Sequence, residues 1–262
     1  MKLLIQSSLI LSLAGSTLLL PSFIGSSEKL FSPAANAIAL TNQDVMQRLR
    51  GVPVFTITDA QGKPLLAAKA GSQKKQNGLF FLSQQDAQAL LKQIKAQKPE
   101  LNKSARVTIV GLDRAYELVQ LGQAKKQTSA DQAVFFLQPQ VKQVQSAIKL
   151  LQASGQKIEQ LNAVPIFFAV VGEKQNLLTI QKQDKQIIPL FFSKEDLDRL
   201  LQQVRQKNPK LAATVKVKVG SLDQAIQLMK ESNDAESGKI AFIPPQESLD
   251  FLRLQQSSAP RK

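Results

Sequence analysis

Short apolar stretches alternate with amphipathic stretches along this chain, and four blocks of the pattern occur twice in the same order. The paired blocks are 52–55 with 164–167, 81–86 with 191–196, 111–115 with 221–225, and 136–139 with 242–245. The two members of each pair lie too far apart in the sequence for a short-period solenoid, whose repeats run about 20–50 residues. The pattern therefore predicts a tandem duplication of one folding unit.

Apolar runs predict five strands in each copy, and the first two form a hairpin. The predicted strands are 52–57, 65–68, 79–82, 107–110 and 134–137 in the first copy, and 164–171, 177–180, 188–192, 215–219 and 240–243 in the second. Stretches rich in Gln and Lys at 72–76 and 181–186 are expected to be solvated loops, with anion binding as the functional alternative.

Each copy also predicts three helices, of which the first is the best marked. Ser83 and Asp86, like Ser193 and Asp196, have the Ser-x-x-Asp spacing of a capping box. Apolar residues at helical spacing follow, and a proline ends each helix. The further helices are expected to start near 112 and 222 and to cover 141–151 and 247–254, and a separate helix is expected near 42–49. The expected fold is α+β, a tandem duplication of a β-β-β-α-β-α-β-α unit that forms two pseudo-symmetric halves.

The first residues have the pattern of an export signal. Lys2 precedes an apolar run, and Ala35-Asn36-Ala37 supplies an Ala-x-Ala cleavage motif. We expect a signal peptide at 1–37, with Ala39 as a second cleavage position. The divisions expected after it are 38–155 for the first half, 156–255 for the second and 256–262 for a disordered tail. No later segment reaches the ~18 apolar residues that a membrane span requires.

The composition excludes several kinds of catalytic and metal-binding site. The chain has no Cys, His or Trp, so thiol nucleophiles, histidine bases and Cys- or His-based metal sites are excluded. No phosphate-loop, dinucleotide or metal-binding spacing is present, and we expect no cofactor, no metal and no enzymatic activity. Asp113 and Asp223 occupy matched positions and could pair as an acid and a base, but each is better placed to stabilise the start of its own helix.

A net charge of +14 favours acidic partners such as anionic lipid, nucleic acid or acidic polypeptides. In the strand at 215–219, Lys216 and Lys218 alternate with valines, which predicts a wet, basic sheet face. Nucleic acid is disfavoured as a partner by the export signal and by the lack of an aromatic RNA-binding motif.

Phe doublets are the remaining candidate site. Adjacent residues of a strand point to opposite faces of the sheet, so each doublet places one ring on each side. If helices cover only one face, the other ring lines an exposed groove. We predict that at least one of Phe55, Phe80, Phe167 and Phe191 lines an open groove that binds apolar polypeptide segments, with core packing on both faces as the alternative.

These blocks resemble the Tic22 family, over about 44–252. The motifs that carry the resemblance are VPVFTI at 52–57, FFLS at 80–83, VPIF at 164–167 and PLFFS at 189–193. The family's plastid members are soluble intermembrane-space components of the chloroplast inner-envelope translocon. Because the leader resembles a bacterial signal peptide, the resemblance points to a cyanobacterial member, located in the periplasm, with the thylakoid lumen as the alternative.

The resemblance implies a chaperone-like, non-enzymatic role in protein transport or outer-membrane biogenesis. The implied partners are unfolded precursor polypeptides and an Omp85-type outer-membrane barrel. No catalytic residues are carried over from the family. The alternative function is binding of anionic lipid or lipopolysaccharide through the basic sheet face.

Overall fold

The computed structural model describes residues 40–69, 72–125, 133–182, 184–231 and 236–258. The predicted signal peptide at 1–37 and both predicted cleavage positions, Ala37 and Ala39, lie outside these ranges. The fold is mixed α+β, as expected.

Strands from the first half form a five-stranded sheet, sheet A. Its strands are β1 (Pro53–Thr58), β2 (Ala67–Lys69), β3 (Ser72–Phe81), β4 (Arg106–Gly111) and β5 (Val134–Gln138). They lie in the order β5-β3-β1-β4, and β2 pairs with the start of β3. The β3–β5 pair is parallel and the other pairs are antiparallel.

Strands from the second half form a six-stranded sheet, sheet B. Its strands are β6 (Pro165–Val171), β7 (Asn176–Leu177), β8 (Ile180–Lys182), β9 (Lys185–Phe191), β10 (Lys216–Ser221) and β11 (Ile240–Ile243). The order β11-β9-β6-β10 and the parallel β9–β11 pair match those of sheet A. Equivalent residues also pair, since Phe55 lies opposite Phe81 and Phe167 lies opposite Phe191.

Eight helices complete the described fold. They are α1 (Asn42–Arg50), α2 (Gln84–Gln97), α3 (Leu112–Lys125), α4 (Val141–Ala153), α5 (Lys194–Lys207), α6 (Pro209–Ala212), α7 (Leu222–Glu231) and α8 (Gln246–Ser258). The serines predicted to start α2 and α5 do so, because their hydroxyls accept from the backbone N–H groups of Asp86 and Asp196.

Several predicted boundaries are wrong. The Gln- and Lys-rich stretches are not loops: 72–76 belongs to β3, and 181–186 belongs largely to β8 and β9. In both halves these polar residues lengthen a hairpin, where strand pairing satisfies the backbone whatever the side chains are. The second half also divides its return strand into β7 and β8, and it has the one-turn helix α6 where the first half has a 3₁₀ helix, Pro99–Leu101. Residues 256–258 continue α8, so they are not part of a disordered tail.

Alternate residues of each sheet enter different clusters of buried side chains. One shared cluster joins a face of sheet A, a face of sheet B and residues of α1, α3 and α7. We call these two faces the inner faces. The opposite, outer faces pack in separate clusters, one around Phe55 and one around Phe167.

The last helix of each half packs on the outer face of the other half's sheet. α4 follows β5 of sheet A, yet Ala147, Leu150 and Leu151 pack around Phe167 of sheet B. α8 follows β11 of sheet B, yet Phe251 packs edge-on against Phe55 of sheet A, with ring centroids 5.8 Å apart. This exchange, together with the shared inner cluster, ties the halves together.

None of the helices in the described ranges is long and apolar enough to cross a membrane.

Candidate polypeptide-binding surface

The four phenylalanines singled out from the sequence are buried. Phe55, Phe80, Phe167 and Phe191 are 0%, 2%, 0% and 5% exposed, respectively. The expectation that one of them lines an open groove is therefore wrong for this structure. The physical reason is that helices cover both faces of each sheet, because the exchanged helices α4 and α8 share the outer faces with α5 and α2.

One ring of a different doublet is exposed. Phe135 stacks on Phe80 at the inner face of sheet A, with ring centroids 5.4 Å apart. Its neighbour Phe136 points the other way and is 41% exposed. The pairing register places Ala241 of sheet B at the position equivalent to Phe136, so the sequence pairing of 136–139 with 242–245 is wrong by one residue. The alternation rule was right, but the sequence did not show which strand lies at the border of the helix layer.

Lys216 and Lys218 lie on β10, at the border of sheet B. Lys216 is exposed and Lys218 is half-buried. On the inner face their neighbours across the strand pair are the buried Val170 and Phe168. The lysines thus form a basic border beside an apolar face rather than a wholly wet face.

Asp113 and Asp223 contact different residues, and both contacts have a structural role. Asp113 accepts from Arg50 Nε at 3.1 Å, which links the start of α3 to the end of α1. Asp223 lies in the first turn of α7. Burial, the charge of Asp223 and a hydrogen bond to its carboxylate raise the pKa of Tyr116 to about 12. These contacts hold helices together at the inner cluster.

A groove of about 450 Å³ runs between α5 and β10 on the outer side of sheet B. Residues of α5 spaced at i, i+3, i+4 and i+7 form one wall, and α6 and β10 supply the rest. The lining residues are Asp198, Leu201, Gln202, Arg205, Ala212, Val215 and Val217. We call it the β10 groove.

The β10 groove has an apolar floor and a polar rim. Leu201, Val215 and Val217 are partly buried and pack against the cluster around Phe167. Asp198 is held by Lys194 Nζ at 2.6 Å, and Arg205 lies at the other end of the α5 wall. Such a surface suits a ligand that is mostly apolar with a few polar groups.

The groove borders a strand edge. Within the described ranges β10 pairs only with β6, so no described strand pairs with its other edge. The backbone N–H of Ser221, at the end of β10, donates to Gln224 Oε1 at 3.0 Å. Lysines on an edge strand discourage uncontrolled pairing between copies of a protein. Lys216 and Lys218 fit that structural role.

The sequence pattern predicts parts of the groove but not how they come together. Leu201 fits the apolar face predicted for α5, and Val215 and Val217 fit the predicted alternating strand. The opening between them was missed because it depends on α6, a helix of one turn that leaves no periodic signal. The described residues also contain no cluster of acidic side chains placed to hold a metal ion.

Comparisons with known structures agree with the fold. Anabaena Tic22, a protein-transport structure, superposes with a TM-score of 0.69 at 28% sequence identity, covering 85% of this chain and 99% of that one. Tic22 from Plasmodium falciparum shares the fold, with a TM-score of 0.63 at 23% identity over 82% of this chain and 99% of that chain.

Sequence comparison gives plant relatives. The chloroplastic protein TIC 22 of Pisum sativum is 29% identical over 212 residues, which cover 80% of this chain and 76% of the relative. The chloroplastic TIC 22-like protein of Arabidopsis thaliana is 27% identical over 210 residues, 79% of this chain and 62% of the relative. The profile of the Tic22-like family matches residues 4–253, and the chain belongs to this family.

Proposed function

We propose that this protein is an exported, non-enzymatic chaperone-like factor that binds unfolded precursor proteins. It would assist protein transport or outer-membrane protein biogenesis, in the periplasm, with an Omp85-type barrel as its receiving partner. The observation that carries the proposal is the β10 groove, an apolar floor beside an unpaired strand edge. Membership of a family with a protein-transport structure supports it.

An extended polypeptide suits this geometry. Its backbone would pair with the open edge of β10, and alternate side chains would enter the groove over Leu201, Val215 and Val217. Strand addition of this kind draws its affinity from main-chain hydrogen bonds. Because those bonds do not depend on sequence, one site can accept many precursors.

The export signal and the duplication belong to the same proposal. Cleavage after Ala37 would release a mature chain from Ile38, with the first half at 38–155 and a second half that starts at 156 and includes α8 up to 258. The equal strand orders of the two sheets support descent from one duplicated, pseudo-symmetric unit.

The test is binding of a fluorescent, unfolded outer-membrane barrel protein by the purified mature chain. Leu201→Gln places an amide in the apolar floor and should weaken binding by at least fivefold. Leu228→Gln is the matched control, since Leu228 is an exposed leucine on α7 that is not part of the groove. Equal binding by both variants and the unmodified chain would refute the groove as the site.

Binding of anionic lipid or lipopolysaccharide is the second candidate. The segment 199–222 carries Arg199, Arg205, Lys207, Lys210, Lys216 and Lys218 and no acidic residue, and most of these cations are exposed. Flotation with vesicles containing anionic lipid, and with neutral vesicles as the control, tests it. Lipid binding that salt removes, without precursor binding, would favour this candidate over the first.

A further inference from the structure

The two exchanged helices occupy equivalent places but are attached differently. α4 lies over the outer face of sheet B, and α8 lies over the outer face of sheet A. Counting from the proline that ends the preceding strand, Lys142 and Gln143 of α4 correspond to Glu247 and Ser248 of α8. At these positions the two helices make different contacts.

α4 is anchored by charged and polar contacts to α5. Lys142 Nζ lies 2.8 Å from Glu195 Oε1. The amide of the buried Gln143 donates to Glu195 Oε2 at 2.7 Å, and its oxygen accepts from Lys194 N at 2.9 Å. The first turn of α4 is thereby fixed to the first turn of α5.

α8 lacks this anchor at the equivalent positions. Ser248 is 0% exposed, yet its Oγ has no hydrogen-bond partner. Glu247 is an exposed residue whose carboxylate is partly shielded from water and lies near Asp196, Asp86 and Glu195, with Lys142 as an opposing charge. The backbone N–H of Gln246 donates to Asp196 Oδ2 at 2.9 Å. An unpaired buried hydroxyl and a carboxylate beside other carboxylates both cost stability.

The surface beneath α8 is apolar. Phe251 of α8 packs on Phe55, in a cluster that contains Phe81 and Ala87. Partly buried aliphatic side chains border this cluster: Leu79, Leu90, Val107 and Ile109. If α8 moves away, the outer face of sheet A becomes an apolar groove with the carboxylates of Asp86, Asp196 and Glu195 at one end. Two of these carboxylates already have a cation beside them, since Asp196 pairs with Arg199 and Glu195 pairs with Lys142.

We propose that α8 is a displaceable strap, and that the groove beneath it takes an amphipathic helical segment of a client that carries a cation in its first turn. The occupant's chemistry follows from α8, whose helix and aromatic ring already fit the groove, and from the acidic groove end. Lys142 of α4 shows that a cation is accommodated at the matching position. This inference rests on the proposed function and adds a second, covered client site to the β10 groove.

Cysteine labelling tests the strap, because the natural chain contains no cysteine. Ser248→Cys and Ala147→Cys each place one thiol on the buried face of an exchanged helix, at residues that are 0% exposed. A thiol reagent should modify Ser248→Cys at least tenfold faster than Ala147→Cys. Adding Glu247→Gln should slow the modification of Ser248→Cys at least threefold, since it removes a carboxylate from the acidic groove end.

If the groove beneath α8 is a binding site, a peptide that fits it should displace α8. The probe is a synthetic peptide of 244–258 with Glu247→Lys and Ser248→Gln. In excess it should speed labelling of Ser248→Cys at least threefold and leave Ala147→Cys unchanged. Equal labelling rates for the two thiols, or no response to the peptide, would overturn the proposal.

Two further measurements keep the outcome clear. If either cysteine variant fails to fold, amide hydrogen exchange on the natural chain makes the same comparison, with 250–253 of α8 expected to exchange at least tenfold faster than 146–149 of α4. Binding of the unfolded barrel protein without this difference between α8 and α4 would overturn the strap and leave the proposed function standing. A loose, peptide-responsive α8 in a chain that does not bind the unfolded barrel protein would overturn the proposed function and leave the strap.

Discussion

At the residue scale, the phenylalanines show what the alternation of side chains between the two faces of a sheet can predict. The rule that neighbours face opposite sides of a sheet holds for Phe80-Phe81 and Phe135-Phe136, whose members enter different surroundings. Whether a face is covered cannot be read from the strand itself. In this fold part of the cover of each outer face comes from α4 or α8, which belong to the other half, so the doublets alone could not reveal it.

Buried and exposed phenylalanines should contribute differently to stability. Phe55→Ala should lower the free energy of unfolding by about 3–5 kcal/mol, because the ring is enclosed by sheet A and Phe251. Phe136→Ala should cost less than about 1 kcal/mol, since much of that ring is already in water. Urea denaturation followed by circular dichroism measures both. A large loss for Phe136→Ala would show that the ring is covered in solution.

Gly78 is needed for the stacking of Phe135. A Cβ added at Gly78 would lie 2.4 Å from Cε1 of Phe135 and 3.1 Å from Cδ2 of Leu66. Gly78→Ala should therefore destabilise the protein by about 1–3 kcal/mol through overpacking. Gly220→Ala is the matched control in a strand, because its nearest neighbours lie at 3.7 and 3.8 Å, and it should stay within about 0.5 kcal/mol. Equal unfolding midpoints for the two variants would contradict the packing described.

At the element scale, most helices and strands were predictable and their partners were not. Serine caps, apolar spacing and prolines marked α2 and α5, and apolar runs marked the central strands. Periodicity describes only one face of one element. It therefore could not show that α4 leaves its own sheet, or that α5, α6 and Val217 leave a groove between them.

The carboxylate that anchors α4 should make stability depend on pH. Burial of Glu195 would raise its pKa, but hydrogen bonds from Lys142, Gln143 and the backbone outweigh it and lower the pKa to about 2. Since the unfolded state binds the proton more tightly, this stabilisation is present above pH 4.5 and is lost as the pH falls toward 2. Glu195→Gln should cost about 1 kcal/mol at pH 7, because the pair is largely exposed. The loss of unfolding free energy caused by Glu195→Gln should be smaller below pH 4.5 than at pH 7. Urea denaturation at pH 7 and below pH 4.5 measures this loss, and an equal loss at the two pH values would contradict the anchor.

Glu247 should make stability depend on pH in the opposite direction. Burial first, and then the charges of Asp196 and Asp86, raise its pKa above the ordinary 4.5. The folded state then binds the proton more tightly, so stability falls as the pH rises from 4.5 through the raised pKa. Glu247→Gln should therefore be more stable than the natural chain at pH 7 and equal to it at pH 4. A variant that is less stable at pH 7 would contradict this placement of Glu247.

At the scale of the whole molecule, the exchange makes the halves interdependent. Each sheet takes part of its outer cover from the other half, and the inner cluster draws on both. We expect one cooperative unfolding transition for 38–258, at the same urea concentration for amides of sheet A and of sheet B. The separate segment 38–155 should fail to fold, because it would lose α8 and half of the inner cluster. Two transitions, or a stably folded segment, would contradict this.

The central claim is that this chain holds unfolded precursors through its apolar surfaces. The most direct measurement is light scattering from an outer-membrane barrel protein diluted out of denaturant, with the mature chain present at equimolar concentration. We predict strong suppression of aggregation at low salt, partial loss at high salt as the attraction of the cationic surface for acidic clients is screened, and clear weakening by Leu201→Gln but not by Leu228→Gln. Aggregation that proceeds unchanged at both salt concentrations would contradict the account.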